Sequence, residues 1–139
     1  MTLKLHNNFL IEIGEHIEIR WRTVKKDYSK ELEKYEEKKF YPIAIYTKTG
    51  NLICYASEIN EFLELLGAFV ANQLNTQKDY KFIYKDGGGF KANMKTKDKI
   101  KYLHLQIGQE EFFLEKYDCR VIIANVKQIL SKCTLWEFI

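Results

Sequence analysis

Hydrophobic and polar positions alternate along most of this chain, and twice the alternation gives way to a helical stripe. Residues 99–133 read KIKYLHLQI, the turn Gly108-Gln109, EEFFLE, Lys116, and then YDCRVIIANVKQILSKC. The same order occurs earlier: YPIAIYTK, the turn Thr49-Gly50, NLICYA, then SEINEFLELLGAFVANQLN. Period-2 alternation is that of a strand with one face buried, and each two-residue turn joins two strands into a hairpin. In the later helix Cys119, Ile122, Ile123, Val126, Ile129, Leu130 and Cys133 recur at the 3.6-residue period. In the earlier one Ile59, Phe62, Leu63, Leu66, Phe69 and Val70 do so, with Ser57 at the N-cap position. Each hairpin thus offers an apolar face that the following helix can cover.

The remaining segments extend both patterns. Residues 3–13 predict a first strand with Phe9, Ile11 and Ile13 on one face, and Gly14-Glu15 a turn. Residues 16–24 alternate, with Ile17, Ile19, Trp21 and Thr23 inward and His16, Glu18, Arg20 and Arg22 outward. Residues 25–39, KKDYSKELEKYEEKK, carry dense charge of both signs and no strand period. They read as a long charged excursion rather than the short solvated helix that Tyr28, Leu32 and Tyr35 would allow. Residues 40–48 form the third predicted strand, where Pro42, the only proline, points to a sheet edge. Residues 51–56 form the fourth. In the second half, residues 80–85 and 90–95 flank Asp86-Gly87-Gly88-Gly89 and predict a hairpin. The expected fold class is α+β: two ββββα repeats, antiparallel sheets with two packed helices. The repeats span 1–75 and 80–133 of a single domain, 1–139. An apolar tail, 134–139, would dock on the domain or on a second copy to give a homodimer.

Composition narrows the classes. Hydrophobic residues make up 46% and aromatic residues 14%, which excludes a disordered chain. No apolar run reaches the roughly 20 residues of a membrane span, and MTLKLHNNFL lacks the apolar core of a signal peptide. Cys54, Cys119 and Cys133 are an odd number, two of them on the second helical stripe, which fits reduced core thiols in a cytoplasmic protein. The net charge of +3 permits a nucleic-acid partner without demanding one.

No catalytic, cofactor or metal motif stands out. Gly87-Gly88-Gly89 lacks the GK[ST] ending and following helix of a phosphate loop. His6, His16 and His104 have no metal-ligand spacing with a cysteine. Cys119, beside Asp118, falls on the buried helical stripe, which argues against a nucleophile. The expectation is a non-enzymatic binding protein. From residue 79 to 101 the chain holds seven lysines and three aspartates, a local excess that outweighs the net charge of the whole. Tyr80, Phe82, Tyr84 and Phe90 are threaded through it. Alternation places Lys81 and Lys85 on one face of their strand. It places Lys91, Asn93 and Lys95 on one face of the next, opposite Phe90, Ala92 and Met94. A face of cations beside rings is what a single-stranded nucleic acid requires, with charges along the backbone and rings for its bases. The plainer alternative is that these lysines only solvate the face.

The stretch YKFIYKDGGGFKANMK and the closing helices EINEFLELLGAFV and YDCRVIIANVKQIL resemble the PUR-domain and whirly group of single-stranded nucleic-acid-binding proteins. That resemblance implies nucleic-acid binding on the hairpin sheets, with helices holding repeats or subunits together. Its implied contact residues are Lys81, Tyr84, Lys85, Phe90, Lys91, Asn93 and Lys95, with Arg20, Trp21 and Arg22 from the first half. The residue 25–39 excursion departs from the group's pattern. The competing class is a protein-binding inhibitor or immunity protein, with that excursion and the tail as its contact surfaces.

Overall fold

Asn7 and Asn8 divide the first predicted strand into a hairpin, β1 (Thr2–His6) and β2 (Phe9–Ile13). Asparagine side chains stabilise turns locally, and here they interrupt an otherwise continuous apolar alternation. The structure, a computed structural model, describes residues 1–15, 17–27, 30–85, 87–132 and 137–138, with side chains over 1–15, 42–85 and 87–132. The order continues with β3 (Ile17–Asp27), β4 (Lys30–Tyr41), β5 (Ile43–Thr47), β6 (Leu52–Tyr55) and α1 (Ile59–Val70). The second half holds β7 (Tyr80–Ile83), β8 (Gly89–Lys97), β9 (Ile100–Ile107), β10 (Glu110–Leu114) and α2 (Lys116–Ser131). A two-residue strand, β11 (Glu137–Phe138), follows.

Two antiparallel four-stranded sheets result, in the orders β1-β2-β5-β6 and β7-β8-β9-β10. Each is followed by its helix, so the protein is α+β with a ββββα unit in each half. The repeat is more regular than the sequence suggests, because β3 and β4 lie outside the first unit. They form a long antiparallel hairpin inserted between β2 and β5, in a separate sheet where β11 adds a short parallel pairing to β4.

Residues 25–39 are therefore mostly strand, and the expectation of a charged excursion is corrected. The register supplies the reason. It sets Glu18 opposite Lys39, Arg20 opposite Glu37 and Lys26 opposite Glu31, so register positions of unlike charge are paired along the hairpin. The side chains of 16–41 and 133–139 lie outside the described residues. With them lie the inward and outward assignments for 16–24 and Cys133; of the apolar tail, only the pairing of Glu137–Phe138 with β4 is described. Pro42 is corrected too: β5, which follows it, is an interior strand between β2 and β6. Pro42 stands at the break between β4 and β5. Its carbonyl accepts the Gly14 amide at 2.8 Å, and a side chain at Gly14 would strike its ring.

One core cluster joins both halves: Phe9, Ile11, Ile45 and Ile53 from the first sheet, Phe90, Leu103 and Leu105 from the second, and the helical stripes. On α1 the buried positions are Ile59, Phe62, Leu65, Leu66 and Phe69; on α2 they are Cys119, Ile122 and Val126. Each helix also reaches the sheet of the other half. The Phe62 ring of α1 lies 5.4 Å from Phe90, and Glu61 accepts the Tyr84 hydroxyl at 2.9 Å. From α2, Asn125 donates to the Leu5 carbonyl at 2.7 Å, and Asp118 meets His6 Nε2 at 2.8 Å. Helix α1 ends at Val70 rather than running to 75, because Asn72 takes the left-handed conformation at φ 56°. Ser57 is not its cap; it lies in a 3-10 turn whose entry is held by Glu58 accepting the Tyr55 amide.

Candidate functional site

The second sheet has an inner face against the core and an outer face against solvent. Inside lie Phe90, Ala92, Leu103, Leu105, Ile107 and Leu114, all buried. Lys81, Lys91 and Lys95 are exposed on the outside, and Asn93 is half-buried beside them. The register arranges this face in rows. One runs Lys81–Lys91–Gln106–Glu111, the next Asn93–His104–Phe113, and a third joins Lys95 to Tyr102. Lys85 is exposed beyond the end of β7. Among the described residues, no hydrogen bond or ion pair engages Lys81, Lys85, Lys91 or Lys95. Within the described residues each ammonium is open to an external anion.

The second row is held by side chains. Asn93 Nδ2 donates to Asp79 Oδ1 at 3.1 Å, which turns Asn93 Oδ1 toward His104 Nδ1, also at 3.1 Å. His104 Nε2 lies 3.3 Å from Glu111 Oε1. Although His104 lies on the outer face it is only 6% exposed, because the Phe113 ring lies across it at 4.9 Å. Phe113 itself is 53% exposed, with Tyr102 edge-on to it at 6.4 Å. Two concavities open on this face. One of about 360 Å³ is bounded by Asp79, Asn93, His104 and the row Lys81–Lys91–Gln106. Its neighbour, about 230 Å³, shares that row and extends over Ile83, Gly88 and Gly89.

The structure thus brings Lys81, Lys91, Asn93 and Lys95 together, with Lys85 nearby. It does not place both expected rings with them. Phe90 is 3% exposed, stacked on Phe82 at 4.7 Å inside the core, and is closed to a base. Tyr84 packs against the same core, and burial, followed by its hydrogen bond to Glu61, pushes its phenol well above the usual range. The rings on the outer face are Phe113 and Tyr102, which the sequence reading passed over. The signal was present: Gly108-Gln109 closes a two-residue turn, which pairs Ile107 with Glu110 and so His104 with Phe113. Arg20, Trp21 and Arg22 belong to β3, in the sheet of the inserted hairpin, and not to the counterpart of the second sheet.

Cys54 and Cys119 are fully buried, and burial pushes each thiol up to about 12, so neither is a thiolate near neutrality. Among the described residues, no group of three or more His, Cys, Asp or Glu side chains is placed to hold a metal ion. No described helix is long and apolar enough to cross a membrane. Comparison with protein-family models, curated proteins and solved structures gave no match.

Proposed function

We propose that this protein is a non-enzymatic binding protein that takes single-stranded DNA or RNA on the outer face of its second sheet. The observation that carries the reading is the cation set Lys81, Lys91 and Lys95, without ion-pair partners among the described residues, beside the exposed Phe113 ring on one sheet face. Cations neutralise the backbone and release its counterions, and an exposed ring offers a surface for an unpaired base. A duplex keeps its bases stacked on one another and gains only the charge contribution. The test is fluorescence anisotropy with a labelled oligonucleotide, single-stranded and duplex, over a salt series. With Lys81, Lys85, Lys91 and Lys95 engaged, the slope of log affinity against log salt is about −3 for the single strand. Lys91→Ala/Lys95→Ala weakens binding and flattens that slope. Absence of binding at low salt, or binding that the double variant leaves unchanged, rejects the proposal.

A second reading, a protein target, draws on Ile83, 74% exposed, and Phe113 on the same face. It predicts that one stoichiometric protein stays bound in a lysate pull-down after nuclease treatment.

A further inference from the structure

Lys81 of β7 stands directly opposite Lys91 of β8, with Gln106 of β9 next in the row. Directly opposed residues on paired strands hold their Cβ atoms about 5 Å apart, and like charges so placed destabilise a sheet. Among the described residues neither ammonium has a hydrogen bond or carboxylate partner. The nearest acid in the row, Glu111, lies two strands from Lys91, about 10 Å away, and faces His104. Asp79 accepts from the neutral Asn93 amide and lines the larger concavity with Lys81 and Lys91, without an ion pair to either.

The pair also forms the shared rim of the two concavities on the outer face. The wall of the smaller one is bare backbone at Gly88 and Gly89. Both have positive φ, and a Cβ would come within 2.9 Å of the Ile53 carbonyl at Gly88 and within 2.4 Å of the Phe82 carbonyl at Gly89. At Gly88 and Gly89 the wall therefore adds no side chain, and among the described residues the two ammonium groups are open to a small tetrahedral anion.

We infer that Lys81 and Lys91 form a clamp for a single phosphate group, with the Gln106 amide as a neutral donor beside it. The inference rests on the proposed function in one respect: it makes this clamp the position of one backbone phosphate of the bound strand. Its chemistry requires only a phosphate group, whether carried by a nucleic acid or by a small molecule.

The test is thermal unfolding at matched low ionic strength, with and without pyrophosphate, alongside anisotropy with a single-stranded oligonucleotide. Wild type is compared with Lys81→Gln and Lys91→Gln, and with Lys4→Gln from the first sheet as control. Pyrophosphate at tenfold its dissociation constant raises the wild-type and Lys4→Gln midpoints by about 4 °C. It moves neither clamp variant. Without anion, each clamp variant melts at or above the wild type, because the repulsion is gone. An unresponsive wild type, or a shift retained in both clamp variants, overturns the clamp. If the oligonucleotide binds while pyrophosphate has no effect, the clamp falls and the strand-binding reading stands. If pyrophosphate acts through both lysines and no oligonucleotide binds, the clamp stands with a small phosphate compound as its ligand, and the strand-binding reading falls.

Discussion

The two four-stranded sheets share a strand order and a following helix, yet their outer faces differ. In the first sheet the register places Lys4, Leu10, Tyr46 and Leu52 in one outer row, and Glu12, Ala44 and Tyr55 in the next. In the second, the corresponding surface carries Lys81, Lys91 and Lys95 with Asn93, His104 and Phe113. The inner faces are alike, aliphatic and aromatic, and they merge into one core. The shared pattern therefore accounts for folding, and the unshared pattern is where a binding function can reside. A site is carried by surface chemistry on a fold and not by the fold.

The sharpest way to break the comparison is through the part the halves share. Phe62→Ala removes a fully buried ring that connects α1 to Phe90 of the other half. It should cost about 3–5 kcal/mol in denaturant unfolding. Because the core is continuous, loss should come in one transition for the whole chain, and two separate transitions would contradict the shared core.

Charge reversal sharpens the contrast between the outer faces. Lys91→Glu should weaken single-strand binding about tenfold or more at low salt. Glu12→Lys adds a cation to the other face and should change affinity less than twofold. Equal effects would mean that net charge, not the second sheet, governs binding. Next in size is the ring. Phe113→Ala should cost about 1–3 kcal/mol of binding. Tyr84→Phe removes only the hydroxyl bonded to Glu61, costs about 1 kcal/mol of stability, and should leave affinity unchanged. Tyr84→Ala, which removes the ring itself, should lower stability and leave affinity unchanged, and the reverse outcome would restore Tyr84 as the contact ring.

The smallest effect concerns the tie between the sheets. Glu110 accepts from Thr49 and Asn51 at the β5–β6 turn, and those bonds, Thr49's first, hold its carboxyl below the usual range. A carboxyl depressed by folding adds stability above its unfolded value and loses it as pH falls through the folded value. Glu110→Gln should therefore show a smaller drop in melting temperature between pH 7 and pH 3 than the wild type. An identical drop would mean that this tie contributes nothing.

Much of the fold was legible because its burial is periodic. The stripes of Ile59, Phe62, Leu66 and Phe69 and of Cys119, Ile122 and Val126 appear as the buried faces of the two helices. The hairpin at Gly87-Gly88-Gly89 was legible because its glycines adopt positive φ. Strand β4 was not, because KELEKYEEKK has neither apolar alternation nor low charge; its partner residues on β3, far along the chain, complete the pattern. Of the site, the lysine parity was legible and the ring parity was not. EEFFLE places Phe112 and Phe113 on opposite faces, and only the pairing with Leu105 and His104 decides which one faces out. Phe90 looked like a contact because it lies among lysines in sequence, whereas period 2 turns it into the core.

The most direct test of the central claim is amide chemical-shift mapping during titration with a short single-stranded oligonucleotide. The account predicts that the largest shifts fall on Lys81, Lys91, Asn93, Lys95, His104 and Phe113, while Lys4, Leu10, Glu12 and Tyr46 stay unmoved. Shifts centred on the first sheet or on the β3–β4 hairpin, or no shifts at saturating oligonucleotide, would contradict it.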